Sequence, residues 1–292
     1  MWKMVCVLSV WLCLCSIGWG TLRSDLNGDC RVDFLDLAIL ASEWMLESED
    51  CMADKYLQFD GSTGYITVPD DASLNFGTGD FSISFWAKDI FGSICTIVTK
   101  RQSITFTGFT VGYATTTNLV NLTLLEVLVG NTVVIPLSVI EGTTGWQHIA
   151  FSCDRDGNGV PYLNGVAQSA IDISAHGYTI STSESMLIGY NGTTNFVSGS
   201  IDDMRFYKGI VLSPYQINTI FAGRKGKKYS SGDAGNGLAF NFDEGIGNPM
   251  SDGVAGLTGV ITGGVTWQSG GVPFAVSTGI SIDIFESLFE EE

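Results

Sequence analysis

Between Gly145 and Phe221 the chain alternates short β-rich runs with tight-turn signals, a rhythm that suits an antiparallel sheet and little else. GWQHIAFSCD reads as a strand, DRDGNG as its turn, and GVPYLNGVAQSA as the return strand with its own Asn164-Gly165 turn. SESMLIGYN and GSIDDMRFYKGIV add two strands, and LSPYQINTIF reads as a short helix. Upstream, Phe81, Ile83 and Phe85 alternate with Ser82 and Ser84, so one face of that strand is buried. By the same alternation Trp86 falls on the opposite face, where burial requires a bulge or a covering loop. CTIVTKR, GFTVGYATT, LTLLEVLVG and TVVIPLSVI fill the middle. The apolar run from Leu119 to Ile140 is read as paired strands rather than a helix, because of its Thr and Val content, Gly130 and Pro136.

These residues carry a resemblance. Trp146, His148, the Tyr162-Leu163-Asn164-Gly165 hairpin, Leu187-Ile188-Gly189, Ile201-Asp202-Asp203-Met204-Arg205-Phe206-Tyr207 and Leu212-Ser213-Pro214 resemble the concanavalin A-like jelly roll in its laminin-G-like, pentraxin-related form. FDGSTGYITVP and DFSISFWAK fit the same family. The resemblance implies an all-β fold, a two-sheet antiparallel jelly-roll sandwich. GLAFNFDEGIG…GVTWQ resembles the segment that normally opens such a domain, yet here it comes late. The order is therefore read as circularly permuted, with LAFNF and GVTWQ completing the same sandwich. The rival, a stub of a second domain, would have about forty residues and too little to bury.

Composition narrows the class. The 292 residues include 31 acidic and 14 basic side chains, for a net charge of −17. That excludes nucleic-acid binding, which needs a basic stripe to neutralise phosphates. MWKMVCVLSVWLCLCSIGWG has one Lys, a short apolar run and small residues at Ser16, Gly18 and Gly20, the pattern of a cleaved secretory signal. No later segment is apolar enough to span a bilayer. The mature chain is then expected outside the cell, secreted or at the surface. Cleavage removes Cys6, Cys13 and Cys15 and leaves Cys30, Cys51, Cys95 and Cys153, an even number that suggests two disulfides. Cys30–Cys51 and Cys95–Cys153 are the favoured pairs, although two buried free thiols would serve the second equally well.

Directly after the signal, DLNGDCRVDFLD places Asp25, Asn27, Asp29, Asp33 and Asp36 at positions 1, 3, 5, 9 and 12 of a twelve-residue loop, with the Arg31 carbonyl at position 7. Calcium takes hard oxygen ligands from a curled loop of this kind. Position 6, usually Gly, is Cys30, and position 12 is Asp36 rather than Glu. Leu37, Leu40, Ala41, Trp44 and Met45 then form one apolar helical stripe. A calcium loop leading straight into such a helix resembles one repeat of a type I dockerin, which implies bound calcium and a protein partner for the helix.

Catalysis finds little support. The E-x-D-x-x-E string of glycosidases with this fold has Ser281 in place of its first carboxylate, with Asp283 and Glu286 following. His148 is read as structural and His176 as a loop residue without a nucleophile nearby. Asp154-Arg155-Asp156-Gly157-Asn158-Gly159 lacks a terminal calcium ligand and reads as a hairpin turn. The family resemblance places a structural calcium near Asp60 and one of Asp202 and Asp203. Aromatic and amide groups in expected loops, Tyr113, Tyr190, Asn191, Asn195 and Phe196, are candidates to stack on and orient a sugar.

The expected organisation is a signal over 1–20, a dockerin-like unit over 21–53, a jelly roll over 54–223, a linker over 224–232, completing strands over 233–275 and an acidic tail over 276–292. The expected function is a non-catalytic exported module for a polysaccharide or glycan. The alternatives are an extracellular adhesion protein, using the sandwich or the N-terminal helix, and a glycan-active enzyme.

Overall fold

The computed structural model describes residues 55–103, 106–126, 132–140, 145–223, 238–247, 249–251 and 257–270. The chain divides after Ala53, and all of these residues belong to the second unit. The signal segment, the Asp25–Asp36 loop with its helix, the favoured Cys30–Cys51 pair, the basic linker and the acidic tail lie outside the described residues.

The strands follow the turn signals. The first seven are β1 (Lys55–Asp60), β2 (Tyr65–Val68), β3 (Phe81–Lys88), β4 (Cys95–Arg101), β5 (Gly108–Ala114), β6 (Leu119–Leu125) and β7 (Thr132–Ser138). Then come β8 (Gln147–Cys153), β9 (Asn158–Leu163), β10 (Val166–Ala167), β11 (Ile171–Asp172), β12 (Met186–Ile188) and β13 (Ser198–Lys208). Helix α1 (Pro214–Gly223) precedes β14 (Leu238–Phe240), β15 (Pro249–Ser251), β16 (Thr258–Thr262) and β17 (Val265–Ser269). Two antiparallel sheets result. The first runs β10-β9-β8-β3-β13-β1-β17, with β11 on β9 and β14 on β13; the second runs β15-β16-β2-β12-β4-β5-β6-β7.

Period-two alternation explains the core. Leu57, Phe59, Phe81, Ile83, Phe85, Ile149, Phe151, Ile201 and Phe206 face inward from the first sheet and meet Ile66, Val98, Val111, Leu122 and Ile135 from the second. The Leu119–Ile140 run is the β6–β7 pair, with Leu119 opposite Ser138 and Leu125 opposite Thr132.

Buried residues also line the outer face of β3 and β8. Tyr162, Tyr207 and Ala150 pack under Leu212 and Ile217, and Trp86 stacks on Phe221 with centroids 5.7 Å apart. The cover over Trp86 is thus a helix, rather than the bulge or loop expected from alternation. Helix α1 starts at a reciprocal cap: the Gln216 amide donates to Ser213 Oγ at 3.3 Å, and the Ser213 amide donates to Gln216 Oε1 at 2.9 Å. Gly165, at φ +78° in the β9–β10 turn, lets α1 approach, since a Cβ there would lie 2.9 Å from Phe221 Cδ1.

The late strands join both sheets. β17 pairs with β1 and β16 with β2. β14 takes the same edge of β13 that β1 uses farther along: Leu57–Asp60 face Ile201–Ser198, and Leu238–Phe240 face Phe206–Met204.

The favoured Cys95–Cys153 disulfide is replaced by two buried free thiols. Cys95 sits in β4 opposite Tyr113 and Cys153 in β8 opposite Phe81, so they belong to different sheets. Burial pushes the Cys95 thiol up to about 12 and raises Cys153 as well, so both stay protonated.

Candidate functional site

Three connections converge at one end of the sandwich: the β1–β2 turn, the β12–β13 loop and the β16–β17 turn. Asp60 builds the first. Its carboxylate accepts from the amides of Ser62, Thr63 and Gly64 at 2.9, 2.9 and 2.8 Å and from Thr63 Oγ1 at 2.6 Å. Burial opposes ionisation, but the hydrogen bonds from Thr63, Ser62 and Gly64 outweigh it and hold the carboxyl well below its usual range. The β16–β17 turn closes against this one, with the Asp60 amide donating to the Gly264 carbonyl at 3.0 Å. A Cβ on Gly264 would run into the Asp60 carboxylate.

Asn191 does for the β12–β13 loop what Asp60 does for its turn. Its Oδ1 accepts from the Thr193 and Thr194 amides, each at 2.8 Å, and from Thr193 Oγ1 at 3.0 Å. The loop is stitched to both sheets: the Thr96 amide donates to the Asn195 carbonyl at 3.0 Å, and the Gly61 amide to the Val197 carbonyl at 2.9 Å. So held, Tyr190 stacks on Phe196 with centroids 4.2 Å apart and planes 12° apart. Tyr65, the first residue of β2, tilts against Tyr190 at 5.1 Å. All three rings are half-buried, and Asn191 and Asn195 beside them are half-buried too. Four of the five expected sugar-contacting residues therefore lie together, and Tyr65 joins them unforeseen. Tyr113 does not belong: it is 2% exposed in β5 and packs edge-on to Phe91 in the core.

The carboxylates expected to share a calcium are not brought together. Asp60 faces Ser198, whereas Asp202, farther along β13, faces Trp86. Asp203 sits at the β13 irregularity with φ +41° and pairs with Arg205, at 2.8 Å to Nη2 and 2.9 Å to Nε. No group of three or more His, Cys, Asp or Glu able to hold a metal occurs among the described residues.

His148 is buried at the α1 seam, 5.1 Å from Trp86 and 6.1 Å from Phe221 between ring centroids. Neither of its ring nitrogens has a hydrogen-bond partner among the described residues. Burial, with the Arg205 charge adding to it, pushes the imidazole down to about 3. A neutral, enclosed ring of this kind is packing. Asp154–Asn158 forms a tight turn, with the Gly157 amide donating to the Asp154 carbonyl at 3.1 Å. Arg155 in that turn points inward, 1% exposed, and pairs with buried Glu126 at 3.1 Å while donating to the Tyr178 carbonyl at 2.8 Å. Sequence reading missed this pair, because no local pattern links Glu126 to Arg155.

Two packed antiparallel sheets with a helix on one outer face define a jelly-roll sandwich of the concanavalin A-like class. A model of the concanavalin A-like lectin/glucanases superfamily, in its laminin G form, matches residues 60–218, and the chain belongs to that superfamily. Among solved structures, a Bacteroides ovatus protein provisionally described as carbohydrate-binding is similar at 17% identity and a TM-score of 0.55, over 77% of this chain and 62% of its own. The binding domain of botulinum neurotoxin serotype G is 18% identical with a TM-score of 0.49, over 59% of this chain and 43% of that one. A Limulus polyphemus SAP-like pentraxin is 17% identical with a TM-score of 0.47, over 59% and 83%. No curated protein sequence matches the chain.

Proposed function

We propose that the protein is an exported, non-catalytic module that binds a polysaccharide or glycan at the Tyr65–Tyr190–Phe196 group. The observation that carries this reading is the half-buried aromatic cluster on a loop whose backbone is fixed by Asn191. Sugar rings present C–H faces that stack on such aromatics, and neighbouring amides orient the hydroxyls. A preformed loop also loses little entropy on binding. The carbohydrate-binding description of the Bacteroides ovatus protein of like fold agrees with this. Against catalysis stand the buried carboxylates Asp203 and Glu126, each spent on an arginine. Calcium is proposed at Asp25, Asn27, Asp29, Arg31, Asp33 and Asp36, where it would stabilise the N-terminal loop.

A glycan array probed with the mature protein, with calcium and with chelator, tests the reading. Binding to one sugar class is expected, and Tyr190→Ala should weaken it about tenfold or more, as loss of an aromatic anchor does. A blank array from folded protein would instead favour protein–protein adhesion.

A further inference from the structure

Lys100 lies opposite the core residue Phe109 on β4 and is 1% exposed, whereas Lys55, Lys88 and Lys208 are half-buried. Its ammonium reaches a single 3-10 turn, Ala72–Leu74, in the β2–β3 connection. Asp70 and Asn75 flank that turn, and Asn75 Nδ2 donates to Asp70 Oδ1 at 2.9 Å. Lys100 Nζ closes the triangle, donating to the same Asp70 Oδ1 at 2.7 Å and to Asn75 Oδ1 at 3.1 Å. It also donates to the Thr182 carbonyl, and the Thr182 amide donates to Asn75 Oδ1 at 3.2 Å. A salt bridge would be complete with Lys100 and Asp70 alone. Here one carboxylate oxygen touches both an amine and the nitrogen of a side-chain amide, and the carbonyl of that amide lies against the amine.

We propose that Lys100 and Asn75 join in an intramolecular isopeptide bond, with Asp70 relaying the protons. The 3.1 Å contact and a C=O bond of about 1.23 Å put Nζ within about 4.3 Å of Asn75 Cγ. Asp70 takes a proton from the Lys100 ammonium, and the freed lone pair attacks Cγ. Charge developing on Oδ1 meets the Thr182 N–H. Asp70 then passes that proton, and a second one from Nζ, to Nδ2. The Cγ–Nδ2 bond breaks, and the nitrogen leaves as ammonium. One alkylammonium and one primary amide become one secondary amide and one ammonium ion, so atoms and charge balance. The Asp70 side chain is 33% exposed, which opens a way out for the ammonium. An amide is a poor electrophile, but groups fixed in contact react at effective molarities on the order of 10⁵–10⁸ M. The product is a neutral amide, which removes the cost of burying a charge. The bond ties the β2–β3 connection to β4 of the second sheet, and the closed loop contains β3 of the first. Cys95 and Cys153, by contrast, are free thiols and tie nothing.

The test is mass spectrometry of tryptic peptides from the purified protein under reducing conditions. Trypsin should fail to cut after Lys100, and peptides 56–88 and 89–101 should appear as one linked species lacking one ammonia. Fragmentation should place the link between Asn75 and Lys100. Asp70→Asn keeps the shape of the side chain but cannot carry a proton, and it should release 56–88 and 89–100 as separate peptides of full mass. Near-ultraviolet circular dichroism checks that this variant is folded. Asn75→Ala, a second variant, should also lose the link. Separate, full-mass peptides from the unaltered protein would overturn the bond. A linked species lacking one water would make Asp70 the acceptor and overturn the assignment to Asn75, as would a link that survives Asn75→Ala. Full linkage in Asp70→Asn would overturn the proton relay.

Discussion

His148 couples its own burial to the pH dependence of the whole sandwich. Enclosed between Trp86 and Phe221, beside Arg205, it titrates at about 3 in the folded chain. Unfolded, an imidazole titrates near 6.5. Between those values the unfolded chain binds a proton that the folded chain refuses, so stability is full above about pH 6.5 and is lost as pH falls toward about 3. The slope from this one residue approaches about 1.4 kcal/mol per pH unit. Carboxylates held low, such as Asp60 and Asp70, act only below about pH 5, so they overlap the lower part of this window but not the range above it. Urea unfolding at pH 7.5 and pH 5 should therefore show a stability loss that His148→Gln largely abolishes. An equal loss in the variant would place the titrating group elsewhere. At this scale the sequence was uneven in what it disclosed. Asn191 and Tyr190 were visible as turn and aromatic residues, whereas Tyr113 looked the same locally and proved to be core.

Among the elements, α1 shows how much an outer layer changes a strand. Alternation along β3 marks Phe81, Ile83 and Phe85 as inward, and it is correct. It places Trp86 on the opposite face without showing what covers it: Phe221 of α1 stacks on Trp86, and the segment before the helix covers Ser82, whose hydroxyl donates to the Ile210 carbonyl at 2.8 Å. LSPYQINTIF was legible as a short helix, but its Ser213–Gln216 cap and the surface it covers were not. Phe221 is the contact that matters most, since it caps Trp86 and His148 together. Phe221→Ala should cost about 1–3 kcal/mol, less than emptying a fully buried aromatic site because the ring is half-buried. It should also open Trp86 to water, read as a red shift in tryptophan emission and faster exchange of the α1 amides. Unchanged emission with unchanged stability would mean that α1 holds its place without this ring.

For the whole molecule, closure depends on strands that arrive last. β17 covers the free edge of β1, β16 covers β2, and β14 continues the β1 line along β13. A chain ending at Gly223 would bare those edges together with Phe206 and Met204, apolar groups that β14 faces. Open edges with apolar neighbours seed association. Residues 54–223 expressed alone should therefore aggregate, while 54–275 should remain monomeric by size-exclusion chromatography with light scattering. A stable, monomeric 54–223 would show that the late strands decorate the sandwich without completing it. The sequence alone determined the strand periods, the turns at Asn164-Gly165 and Asp154–Asn158, the start of α1 and the superfamily, because each is written in residues close together along the chain. Only the tertiary structure decided that Cys95 and Cys153 lie in different sheets, that Glu126 meets Arg155, and that Tyr65 joins Tyr190 and Phe196. Those outcomes depend on register and sheet assignment between distant segments, and a local pattern carries no record of which strand will lie opposite.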